Sequence, residues 1–127
     1  MILPSDYQIS LAVSGGFDGR PKVSAAFDRL GAVISFRCFV EERQVGGGGH
    51  GQESASIVEE IISRLMFTPC AHSDADEVMD SSWKRLEVKS GGCAILFEWY
   101  HDCPDEWTAA NDLYACLHRW SEKFWRQ

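Results

Sequence analysis

Long apolar runs are missing from this sequence: no stretch approaches the ~18 residues that a membrane span requires. The first residues, Met1 to Asp6, carry neither the basic region nor the apolar core of a secretory signal. A soluble, cytoplasmic protein with no membrane partner is therefore expected. Bases are scarce as well, with 12 Lys and Arg against 19 Asp and Glu and a formal charge of −7. Direct binding to nucleic acid or to anionic lipid would be opposed by that field, whereas a basic partner would be drawn in. The five cysteines (Cys38, Cys70, Cys93, Cys103, Cys116) are odd in number, dispersed and without a C-x-x-C pair. That argues against a disulfide framework and for reduced thiols. No G-x-S-x-G elbow is present, and no motif fixes a reaction.

What is present suits a single domain over residues 1–127, with 45% hydrophobic and 24% charged residues in 127. Tyr7, Ile9, Leu11 and Val13 alternate with Gln8, Ser10 and Ala12, the period of a half-buried strand. After a break rich in glycine (Gly15, Gly16, Gly19 and Pro21), alternation resumes at Val23, Ala25 and Phe27, and Ala32 to Glu42 forms a third strand pattern. These three segments predict a meander. Residues 44–53, with five glycines among the six positions Gly46 to Gly51, read as a flexible exposed loop.

Ser56 and Glu59 have capping-box spacing, which predicts a helix from Ser56 to about Phe67. Its apolar stripe would be Ile57, Val58, Ile61, Ile62, Leu65 and Met66. Gly91-Gly92 between two strand-like runs predicts a hairpin over Trp83 to His101. Pro104, followed by Asp105 and Glu106, predicts a second helix reaching about Trp125. Its apolar stripe is Trp107, Ala110, Leu113, Tyr114, Leu117, Trp120 and Phe124, with Arg119, Lys123 and Arg126 toward the negative end of the dipole. The order βββαββα implies an α+β fold, a mainly antiparallel five-stranded sheet with two helices packed mainly on one face.

Several short patterns touch chemistry. Gly46, Gly48 and Gly51 satisfy G-x-G-x-x-G, but the alternating strands and helices of a dinucleotide fold do not follow. Arg43-Gln44-Val45-Gly46-Gly47-Gly48 resembles the R-x-x-G-x-G loop of the GNAT acetyltransferases, which implies a hold on the pyrophosphate of acetyl-coenzyme A. A small acyltransferase or nucleotide-binding enzyme using the Gly46 to Gly51 segment is thus one alternative. Cys70-Ala71-His72 and His101-Asp102-Cys103 offer zinc-type ligands, yet one intervening residue makes joint chelation awkward, and neither metal nor cofactor is expected. Cys93, directly after Gly91-Gly92, reads as an ordinary hairpin residue, His50 has no predicted neighbour that would orient it, and His118 reads as a half-buried helix residue rather than a general base.

Charge and aromatic distribution say more. Residues 74–80 carry Asp74, Asp76, Glu77 and Asp80 with no base, and residues 98–112 carry Glu98, Asp102, Asp105, Glu106 and Asp112, again with none. All five tryptophans fall in the last 45 residues. Acids can steer a basic partner while an aromatic anchor supplies binding energy in a dry centre.

This whole-chain profile resembles the immunity proteins of bacterial polymorphic toxin systems, including contact-dependent growth inhibition. The resemblance implies a non-enzymatic inhibitor that occludes a basic toxin, frequently a nuclease. Asp74, Asp76, Glu77, Asp80, Asp102, Asp105 and Glu106 would pair with toxin Lys and Arg, with Trp107 as an anchor. Phage-encoded inhibitors of host defence nucleases share the profile and form a second alternative.

Overall fold

The computed structural model describes residues 6–14, 22–49, 51–65, 71–72, 83–91, 93–100 and 107–125. Its elements are β1 (Asp6–Ser14), β2 (Val23–Leu30), β3 (Val33–Val40), β4 (Arg43–Gly49), α1 (Gln52–Leu65), β5 (Ala71–His72), β6 (Trp83–Ser90), β7 (Cys93–Tyr100) and α2 (Thr108–Trp125). The strands form one sheet in the order β4-β3-β2-β1-β6-β7-β5. Six are antiparallel to their neighbours, and only the two-residue β5 runs parallel, to β7.

Alternation in the strands sorts residues onto two faces. Ile9 pairs with Phe27 on one side and Val88 on the other, Phe27 pairs with Phe36, and Leu11 lies between Ala25 and Leu86. These side chains meet α1 and α2, which bury Val58, Ile61, Ile62 and Leu65 from one helix and Ala110, Leu113, Cys116 and Leu117 from the other. Trp120 reaches across the sheet, its ring centroid 5.7 Å from Phe27 and 6.0 Å from Phe36. At the C-terminal end of α2, Trp125 Nε1 donates to the Ser24 carbonyl at 3.2 Å. The opposite face presents Ser10, Ala12, Ser24 and Ala26 along its centre, with ion pairs between Asp28 and Arg37 and between Glu87 and Lys89 on either side.

The predicted meander and the hairpin at Gly91 are present, and Gly91 takes a φ of 60°, which a side chain would resist. Four expectations need correction. The segment 44–53, read as a flexible loop, is a strand over Arg43–Gly49, so the antiparallel sheet has six strands instead of five. Glycine's weak strand preference is overridden here by pairing with β3 and by close packing. A Cβ on Gly46 would lie 2.1 Å from the Phe124 ring, and one on Gly47 would lie 2.2 Å from the Phe36 carbonyl oxygen.

The remaining corrections concern the helices. α1 starts at Gln52, with Ala55 N bonded to the Gly51 carbonyl, so Ser56 lies one turn inside and does not cap it. Ile57 is 46% exposed, because its neighbour Val58 takes the core-facing position. α2 starts at Thr108, with Asn111 N bonded to the Trp107 carbonyl; residues 104–106 lie outside the described residues.

Candidate functional site

Asp74, Asp76, Glu77, Asp80, Asp102, Asp105 and Glu106 all lie outside the described residues. The framework that holds their segments is described. His72 of β5 stands opposite Glu98 of β7, and Trp83 of β6 stands opposite Tyr100. Residues 72, 83 and 100 therefore sit at one end of three neighbouring strands, and the segments 73–82 and 101–106 attach there. Trp107, which re-enters the fold beyond the second segment, is not a surface anchor. It is 7% exposed and packs edge-on against Phe97 at 5.3 Å and Trp99 at 6.3 Å between centroids. Of the other acids in that half, Asp112 is bonded to Arg64 at 2.9 Å.

A second feature lies at the far edge of the sheet. Between β4 and the C-terminal half of α2 is a cleft of about 360 Å³ lined by Phe36, Gly47, Gly48, Gly49, Arg119, Trp120, Lys123 and Phe124. Arg119 and Lys123 are one helical turn apart on α2 and exposed. Neither forms an ion pair with a carboxylate among the described residues. Lys123 Nζ stands over the Phe124 ring at 4.9 Å, and that ring covers Gly46. Charge spacing on α2 could have flagged the two cations, but the cleft exists only because the glycine run is a strand.

Polar contacts elsewhere hold the frame. The Tyr7 hydroxyl donates to Glu59 Oε2 at 3.1 Å, and Arg29 Nη1 donates to the same oxygen at 2.6 Å, which ties α1 to the sheet. Burial and the adjacent Glu59 carboxylate push the Tyr7 phenol well above its ordinary value. On the face opposite the helices, Arg37 Nη2 donates to Asp28 Oδ2 at 2.7 Å, while the buried Asp28 Oδ1 has no hydrogen-bond partner among the described residues.

Cys38 and Cys116 are free and buried, and burial raises both thiols. His118 lies half-buried in α2 between the rings of Tyr114 and Trp125. His50, Cys70, His101 and Cys103, with the side chains of His72 and Cys93, lie outside what the structure describes. Among the described residues no three His, Cys, Asp or Glu side chains form a metal-binding group, and no helix is long and apolar enough to cross a membrane. The G-x-G-x-x-G run does not form a loop at Gly46 to Gly49. Instead these residues pair with β3 in an extended ladder, which directs successive N–H groups to opposite sides rather than converging them on a phosphate. No family model, no curated protein and no solved structure matches the chain.

Proposed function

We propose that this chain is a cytoplasmic immunity-type protein that binds a cognate basic toxin, a nuclease in the simplest case, and blocks its substrate-binding surface. One observation carries the reading. The segments 73–82 and 101–106 hold seven carboxylates and no Lys or Arg, and both are attached at the same end of β5, β6 and β7. Seven acids on two segments tethered at one end of the sheet, in a protein of charge −7, would steer a cationic partner and speed its association. A nuclease grips its substrate with Lys and Arg, so acids that pair with those groups compete directly with nucleic acid. Trp107 contributes by fixing the chain where the second acidic segment rejoins the core, not by entering the partner.

The test is kinetic binding to the product of the adjacent gene, at two salt concentrations. The fourfold variant Asp74→Lys, Asp76→Lys, Asp105→Lys, Glu106→Lys is expected to melt like the parent. Its association at low salt should be slower by roughly tenfold or more, with little change in dissociation. Association as fast as that of the parent would overturn the reading.

A further inference from the structure

Four consecutive glycines in a strand call for an explanation, because each weakens the strand relative to a residue with a side chain. Two are explained by the fold itself. Gly46 gives up its Cβ to the Phe124 ring, and Gly47 has a φ of +146° with the Phe36 carbonyl where a Cβ would sit. Gly48 and Gly49 have no such reason. Neither has a positive φ; a Cβ on Gly48 would meet nothing within 4 Å, and one on Gly49 only the Ile34 carbonyl at 3.9 Å. Strand side chains stand off the faces of a sheet, so the bare Gly48, paired with Phe36 and on the same side as Gly46, leaves the β4–α2 cleft unfilled for the side chains of a strand added at the edge.

Among the described residues β4 is the outermost strand and pairs only with β3, so no described strand lies along the other side of its backbone. Edge strands are usually protected by charged side chains or proline; here the outer part of β4 has neither from Gly46 to Gly49. The side chains of a strand added there would alternate between the two faces. Those on the helix side would enter the cleft floored by Phe36, Trp120 and Phe124 and meet Arg119 and Lys123. Both cations are without a carboxylate among the described residues, which selects acids at alternate positions of the incoming strand.

We infer that the β4–α2 cleft receives an extended acidic peptide segment of a partner protein, which adds to the sheet beside β4 and places alternate carboxylates on Arg119 and Lys123. β4 lies at the opposite sheet edge from β5, and this inference does not depend on the toxin reading. Backbone pairing supplies affinity, and the two cations set register and charge preference.

The probe is a fluorescein-labelled peptide of about seven residues alternating Val and Glu, measured against the full chain by fluorescence anisotropy. Two controls replace Glu by Lys, or Val by Pro at unchanged charge. The Val-Glu peptide is expected to bind and to slow amide exchange over residues 43–49, while both controls bind at least roughly tenfold more weakly. Arg119→Glu with Lys123→Glu should abolish binding. Gly48→Val, whose Cβ meets open space, should keep the fold and lose binding; Gly48→Ala is the milder companion should valine disturb the strand. The inference is overturned by absence of binding at millimolar peptide, or by equal binding of the proline or lysine control. It is equally overturned if sedimentation shows that β4 is already paired with a second copy of this chain.

Discussion

Arg29 and Tyr7, on neighbouring strands, donate to one oxygen of Glu59 at 2.6 and 3.1 Å, so a single carboxylate of α1 joins that helix to β1 and β2. The side chains of Arg29 and Glu59 are 17% and 28% exposed, so removal of one partner leaves the others poorly solvated. Glu59→Gln is expected to cost about 1–3 kcal/mol by urea denaturation. In a double-mutant cycle, Tyr7→Phe should lose most of its own effect once Glu59 is gone.

The same site sets behaviour at high pH. The folded protein holds the Tyr7 proton more tightly than the unfolded chain, whose phenol titrates near its ordinary value of 10.0. Above about pH 10 the unfolded state therefore binds fewer protons, and stability falls as pH rises. Cys38 and Cys116, raised from 9.0 by burial, act in the same sense at slightly lower pH. Melting temperature should decline from about pH 9 upward, and less steeply in Tyr7→Phe above about pH 10.

Trp107→Ala should act on stability before affinity. Its ring fills the space between Phe97 and Trp99, so truncation is expected to cost about 3–5 kcal/mol. Loss of partner binding with an unchanged melting curve would contradict the core placement.

Within the glycine strand the effects should differ by position. Gly47→Ala combines a φ of +146° with a collision against backbone and should cost more than Gly46→Ala, where the obstacle is the Phe124 side chain. Chemical denaturation of both variants gives the ordering, and a reversed order would contradict the strand geometry.

The turn between β3 and β4 is built from Glu41 and Glu42 at φ 51° and 72°, a conformation that favours glycine or asparagine. Glu41 has a local partner: its backbone N–H donates to the Lys22 carbonyl at 2.9 Å, and its Oε1 accepts from Lys22 N at 3.1 Å. Glu42→Gly should therefore relieve strain and stabilise by about 1 kcal/mol, read as a higher denaturation midpoint.

These turns show what was legible in the chain and what was not. Gly91 marks its hairpin because the residue matches the backbone angle required, whereas Glu41-Glu42 gives no such sign and is held by the strands around it. β4 is not visible in the glycine run itself because its order comes from pairing with β3 and from packing against Phe124, 78 residues further along the chain than Gly46. Ser56 and Glu59 have the spacing of a cap, yet Glu59 serves Arg29 and Tyr7, a use only tertiary structure discloses. Clustering of acids was readable directly, since charge runs need no geometry. Arg119 and Lys123 read as dipole-compensating charges until the strand beside them turned a helix face into one wall of a cleft.

The Trp125 indole reaches Ser24 across 101 residues of sequence, and Trp120 closes over Phe27 and Phe36 from the same helix. During synthesis, β1, β2 and β3 would leave the ribosome long before α2 exists, with Ile9, Phe27 and Phe36 uncovered on one side of the sheet. The order of translation thus leaves the early meander with an exposed apolar face until α2 emerges. Slowing translation late in the message should lengthen that exposure more than slowing it early.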